Sequence, residues 1–388
     1  MAPSTQPIEK LQNQATQPEG HPVGRSPTSV LTARPKVTQL SLPAAPPTKP
    51  RAAFFIFPAL FQHVDIMMEV SQYLDVDTLV SLYAISRDFH ALVSARMSTT
   101  LLSHARFHAP ESASTFLFKA YKKLCVPDPA QRPHPVQAEE VRLVPSFRWL
   151  RMVLYREEVV RDIIRLLARE EHRLPPRASL TLKRMWLTMD ISTNAKRVGL
   201  MHNHAFWTNE DLRVATMFFM KLDMRFMDPV ESDGENALRK LVMAQRSLAF
   251  VRGVLDRSML TTHTHLLAMH VRHGYRPSPD LSHYSILGVP ADQVGRGELE
   301  NRGEGPAILL RPDELVMQEA IRRGIQMEAL YLDMMLYGFI DLTTFEDILP
   351  TPEELDMERE MKWGDGHPAT VAAGSGTGAG AEDPMDLS

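Results

Sequence analysis

Residues 62–94 read QHVDIMMEVSQYLDVDTLVSLYAISRDFHALVS, and their spacing decides the fold class. Ile66, Met67, Val70, Tyr73 and Leu74 recur at helical intervals, which predicts a first helix of about three turns. Leu79, Leu82, Ile85, Phe89 and Leu92 follow at steps of three, three, four and three. That predicts one second helix, with Asp77 or Thr78 as its cap. The link Asp75-Val76-Asp77 is short, so the two helices are expected to pack against each other. A pair this small cannot bury all of these apolar groups by itself. The surface left over must cover the rest of the chain or a partner. Each Leu or Ile fully buried there is worth about 1.5–3 kcal/mol, so a few make a usable contact.

The same period continues outward. In 146–171, Phe147, Leu150, Leu154, Val159, Ile163, Leu166 and Leu167 mark an amphipathic helix that Ser146 caps and Pro175-Pro176 ends. Further helices are predicted over 178–189, 208–227, 236–257 and 313–338. Thr208 caps the 208–227 helix, and Glu210-Asp211 suit its positive end. No stretch alternates as a strand does, and no repeat at a fixed period occurs. The fold class is therefore mostly α, with the 22 Met mainly in its helical core. Gly and Pro cluster over 274–306, which reads as a long loop. Residues 329–340 (ALYLDMMLYGFI) read as a buried helix, too short to span a membrane. Residues 353–362 read as a charged surface helix.

Composition bounds the function. A 388-residue chain with 44% apolar residues can build a sizeable core. Its 43 Lys and Arg against 47 Asp and Glu give a net charge of -4, which argues against a strongly basic nucleic-acid binder. The single cysteine, Cys125, excludes a disulfide framework and a cysteine zinc site. No glycosylation sequon, signal-peptide pattern or long apolar run occurs, so neither secretion nor a membrane span is expected. Ten of the 29 prolines fall in residues 1–50. Residues 1–51 therefore read as a disordered Pro/Ser/Thr-rich arm. Residues 364–388, with six Gly, read as a disordered tail.

Chemistry-bearing clusters are sparse. His263, His265, His270 and His273 lack a third ligand in register and read as solvated or capping groups. His202 and His204 form a weaker pair. The acidic stretch 228–235 (DPVESDGE) lacks a calcium-loop pattern and reads as a turn. Lys183-Arg184 and Lys196-Arg197 flank Trp186 and could hold a phosphate. Surface cations solvated on helices are the commoner reading. Cys125 has no His-Asn signature, and no phosphate-binding loop or nucleophile elbow occurs. No catalytic residue, cofactor or metal ligand is expected, and an enzyme on a helical fold would need a polar pocket that a sequence cannot display.

The opening stretch resembles the F-box, the helical module that docks F-box proteins onto the Skp-family adaptor of cullin-based (SCF) ubiquitin ligases. Asp65-Ile66 stand at that family's acidic-then-apolar position, followed by Val70 and Tyr73-Leu74. Asp75 opens the loop. Leu79-Val80, Leu82 and Ile85 fall on its apolar positions, and Ser86-Arg87 on its Ser-Arg step. Phe89 stands where Trp is commonest, and Ala91-Leu92 close the pattern without a gap. Gln62-His63 replace the usual Leu-Pro before the acidic residue; the nearest proline is Pro58. The layout also resembles fungal F-box proteins with a long helical C-terminal half.

The resemblance implies an F-box over 57–104 and a helical, substrate-binding domain over 110–363 that stays folded by itself. It implies a substrate-receptor subunit of an SCF-type ligase, intracellular, in the cytoplasm or nucleus. Its partners would be the Skp-family adaptor with its cullin complex, and an unknown protein substrate; neither nucleic acid nor membrane is implied. Such a chain supplies proximity rather than chemistry. Neither a leucine-rich period nor a propeller repeat names the substrate. Ile66, Met67, Val70, Leu74, Leu79, Leu82, Ile85 and Phe89 would share the hairpin core and the adaptor contact. The alternative is a Skp-binding or other protein-interaction scaffold outside a cullin ligase.

Overall fold

A computed structural model describes residues 63–134, 140–226, 237–281, 283–295, 309–352 and 354–356. The N-terminal arm, the positions before His63, the 228–235 turn and the C-terminal tail lie outside them. The surface helix expected over 353–362 is described only at 354–356, which are helical.

The first helix, α1 (Val64–Gln72), carries Asp65 in its first turn. Asp75 then starts α2 (Val76–Ile85): its carboxylate accepts from the Asp77 and Thr78 amides at 2.9 and 2.8 Å and from the Thr78 hydroxyl at 2.6 Å. Asp75 is the cap, rather than Asp77 or Thr78, because its backbone is still extended while theirs is already helical. The single second helix expected from the spacing is in fact two. Ser86 is extended, and its hydroxyl accepts from the Phe89 amide at 3.3 Å, so it ends α2 and caps α3 (Arg87–Ala95). The apolar period runs through this break because Phe89 and Val93 of α3 reach the same core as Leu79. The expected pairing of the first two helices also changes. α1 packs chiefly against α4 (Met97–His108), while α2 packs against α3 and α6 (Phe147–Arg169).

A short helix α5 (Pro110–Thr115) leads to an antiparallel strand pair, β1 (Cys125–Pro127) and β2 (Leu143–Pro145), with Val126 opposite Val144. Three residues are too few to display alternation, so the sequence pattern misses these strands. Helix α6 begins where expected, with the Ser146 hydroxyl accepting from the Arg148 amide at 3.2 Å. It buries Trp149, Leu150, Val153, Val159, Val160, Ile163 and Leu167. Helices α7 (Ala178–Met189), α8 (Asn194–Met201) and α9 (Asn209–Phe226) follow. Thr208 and Asp211 cap α9 reciprocally: each backbone amide donates to the other's side chain, at 2.8 and 3.2 Å.

The later helices are shorter than the spacing implies. The 236–257 segment is α10 (Ala237–Met243) and α11 (Leu248–Leu255). Leu241, Val242, Met243 and Ala244 are buried in succession, which one straight helix cannot direct to a single face. The chain turns at an extended Ser247, so α10 reaches α9 while α11 lies on α6. After α12 (His263–Gly274), the 313–338 segment divides into α13 (Pro312–Arg322) and α14 (Tyr331–Leu336). Gly324, at φ +68, ends α13; the Ile325 amide donates back to the Ala320 carbonyl at 3.0 Å. The buried helix expected over 329–340 is thus six residues of α14 after a tight turn, with Met334 buried and Leu332 exposed.

The architecture is mostly helical, and all described residues belong to one compact unit, Phe55–Ser388. One hydrophobic core runs from Met67, Leu79 and Phe89 through Leu101 and Trp149 to Trp186, Phe218 and Leu315. It does not part between 104 and 110. Ala105, Ala109 and Ala113 are buried in the same cluster.

Candidate docking surface on the first helices

The eight motif residues divide by position. Met67, Leu79 and Phe89 are fully buried, and Leu74 and Leu82 are half-buried against the same core. The other three face outward: Ile66 is 50% exposed, Val70 37% and Ile85 81%. Ile66, Val70 and Tyr73 are spaced four and three apart, so they form one stripe along α1. Tyr73 meets Phe107 of α4, which extends the apolar face onto the neighbouring helix. Beside Phe107, an open groove of about 580 Å³ is lined by Gln72, Ser98, Thr99, Leu102, Ser103 and Arg106. Phe107 and this groove have no clear mark in the sequence, where Phe107 is one aromatic in the mixed run MSTTLLSHARFH.

Charge surrounds this face. Asp65 pairs with Arg96 at 3.6 Å, and Asp77 with Arg151 at 2.6 Å. Both pairs are largely exposed and contribute little to stability. The seam between α1 and α4 is polar as well. His104 Nε2 lies 2.8 Å from the Leu74 carbonyl oxygen, and His108 Nε2 lies 2.6 Å from that of Gln72. These imidazoles satisfy carbonyls that the end of α1 leaves without helical partners. Burial holds His104 below the ordinary imidazole range. The Leu74 bond opposes that, His108 adds to it, and Asp75 opposes it.

Of the other sequence candidates, Lys183, Arg184, Arg197 and Cys125 have structural partners, while Lys196 is exposed. Lys183, read as a solvated surface cation, is instead fully buried, with its ammonium 2.7 Å from Glu111, 2.6 Å from Glu157 and 2.9 Å from the Ser179 hydroxyl. Arg184 pairs with the buried Asp211, and Arg197 donates to the Ile191 and Met189 carbonyls at 2.8 and 2.7 Å. The carboxylates and carbonyls that pair these cations come from separate segments, which is why the local sequence suggested solvation. These cations are therefore not gathered for a phosphate. Trp186 instead covers Arg156, which stacks between its ring and that of Phe116 at 4.8 and 4.6 Å and pairs with Asp190. His263, His265 and His270 are exposed on α12, and His273 is half-buried. Among the described residues, no group of three or more His, Cys, Asp or Glu is placed to hold a metal ion. The Cys125 thiol donates to the Phe118 carbonyl at 3.3 Å, and burial pushes its pKa up, away from the reactive thiolate.

No family model, curated protein or solved structure matches this chain. Among the described residues, no helix is long and apolar enough to cross a membrane. What the geometry offers on α1, α2 and α4 is a set of exposed apolar side chains.

Proposed function

We propose that the chain is an F-box-type substrate receptor, docking on the Skp-family adaptor of an SCF-type ubiquitin ligase through Ile66 and Val70, with Tyr73 and Phe107 on the same side of α1 and α4, and through Ile85 of α2. The helical body beyond residue 110 holds a protein substrate, and the complex works in the cytoplasm or nucleus. The single observation that supports this most is the division of the motif. Met67, Leu79 and Phe89 hold the helices in place, while Ile66, Val70 and Ile85 stay uncovered. An apolar side chain kept in water gains about 1.5–3 kcal/mol when a partner buries it fully, and several together sustain an interface. The chain's own contribution is proximity, holding a substrate lysine near an activated ubiquitin.

The test uses exposed positions, so that folding and docking separate. Ile66→Asp combined with Val70→Asp is expected to abolish co-purification with the Skp-family adaptor while thermal melting stays near that of the parent chain. Retained co-purification overturns the proposal. Recovery of the adaptor without a cullin supports the scaffold alternative.

A further inference from the structure

Two histidines spaced four apart on α4 hold the end of α1. Carbonyls only accept hydrogen bonds, so the Nε2 atoms of His104 and His108 donate to Leu74 and Gln72. In a neutral ring that leaves Nδ1 as a bare lone pair. The Nδ1 of His104 is buried and has no hydrogen-bond partner among the described residues. Protonating it would place a charged donor where nothing accepts it, which is far costlier than burying the lone pair. The His108 ring lies 4.5 Å away, centroid to centroid, and repels a second charge. Asp75, at the head of α2, acts the other way.

Around α4, the remaining charged and titratable groups are paired elsewhere or exposed, Arg106 of α4 itself and His90 of α3 among the exposed. Asp65 of α1 pairs with Arg96 beside the start of α4, and Glu69 is exposed. Arg87 and Asp88 of α3 are exposed. Glu111 of α5 and Glu157 of α6 pair with Lys183, and Arg156 of α6 pairs with Asp190. β2 consists of Leu143, Val144 and Pro145 and carries no charged side chain. Besides these two bonds, α1 is held by its buried Met67 and Ser71, by Leu74 half-buried just beyond it, by the Thr100 hydroxyl on the Met68 sulfur and by Tyr73 against Phe107.

We infer that the α1–α4 seam is a pH-responsive catch, in which proton uptake by His104 releases the end of α1 from α4 and takes apart the apolar face that the two helices share. This inference deepens the docking proposal and rests on it for its regulatory meaning; the release itself requires no partner. The sign follows from the neutral ring being the one the fold accommodates. The folded chain binds fewer protons at this site than the unfolded chain, so the seam's stability is complete above about pH 6.5 and is lost as pH falls through the lower folded value.

Hydrogen exchange on the full-length chain tests this, with amide protection in 64–74 compared with that in α6 between pH 7.5 and 5. The parent chain is expected to lose about tenfold of its protection in α1 for each unit by which the imidazole is depressed, with α6 unchanged. His104→Gln keeps a neutral donor to Leu74 and is expected to hold α1 protected throughout. Constant protection in the parent chain, or an equal loss in His104→Gln, overturns the inference. Should His104→Gln not fold, His108→Gln removes the repelling ring, lessens the depression of His104 and is expected to shrink the loss of α1 protection between pH 7.5 and 5; an unchanged or larger loss overturns it. Failure of the docking proposal shows separately, as adaptor co-purification that survives Ile66→Asp with Val70→Asp.

Discussion

Tyr73 meets Phe107 edge-on, with ring centroids 5.1 Å apart and planes at 72°, and both rings are exposed. This pair ties the turn after α1 to α4 on the outside of the protein. An aromatic pair of this kind contributes about 0.5–1.5 kcal/mol beyond its area. Phe107→Ala is therefore expected to cost little in a urea melt. It is expected to weaken adaptor binding about tenfold, corresponding to about 1.4 kcal/mol. An unchanged affinity in a titration with purified adaptor would remove Phe107 from the docking face.

The motif positions differ in what they support, and mutagenesis should sort them as burial does. Leu79→Ala is expected to cost about 2–5 kcal/mol and Phe89→Ala about 3–5 kcal/mol, because each leaves a cavity in a closed core. Ile85→Ala, at a position 81% exposed, should stay within about 0.5 kcal/mol of the parent chain. Chemical denaturation checks all three. Equal costs at Leu79 and Ile85 would contradict the placement of α2.

Asp211 links α7 and α9. Its carboxylate is fully buried and accepts from Arg177 at 2.8 Å and from the Thr208 hydroxyl at 2.6 Å, beside Arg184. Burial by itself would raise its pKa, but the bonds from Arg177 and Thr208 and the charge of Arg184 bring it below the ordinary aspartate value. The folded state thus holds its proton less readily than the unfolded state. The stabilisation is present above about pH 4 and is lost as pH falls through the folded value. Asp211→Asn is expected to cost about 1–3 kcal/mol at neutral pH, because the partly exposed Arg177 and Arg184 lose their carboxylate partner. The gap from the parent chain should narrow in melts below pH 4; a gap independent of pH would contradict this role.

The continuous core bears on the 110–363 fragment. Resemblance alone implied that this piece would stay folded by itself. In the structure α6 packs against both α4 and α2, and Leu101 and Ala105 of α4 belong to the same buried cluster as Trp149. Removing residues before 110 uncovers that side of α6. The fragment is expected to melt at a clearly lower temperature than the full chain, or to aggregate; a melt matching the full chain would show that the core parts more easily than its packing implies.

Helices α6, α7 and α9 were legible in the sequence because each presents an apolar stripe with a cap or breaker beside it: Ser146, Pro175-Pro176 and Thr208. The breaks at Ser86, Ser247 and Gly324 were not, because apolar spacing continues across all three. Gly324 carried a usable signal, a glycine just past a periodic segment. The eight motif residues were legible as a set. Their division into core and surface was not, because it depends on where α4 and α6 lie, and both are distant in sequence. His104 and His108 carried the faint mark of a four-residue spacing. Nothing local could show that their partners are the carbonyls of Gln72 and Leu74, at and just beyond the end of α1.

The account's central claim, docking on a ligase adaptor, is tested most directly by purifying the full-length chain from cells and quantifying what accompanies it by mass spectrometry. Skp-family adaptor and cullin recovered together, well above a control purification, is the expected result. Recovery of neither would contradict the account.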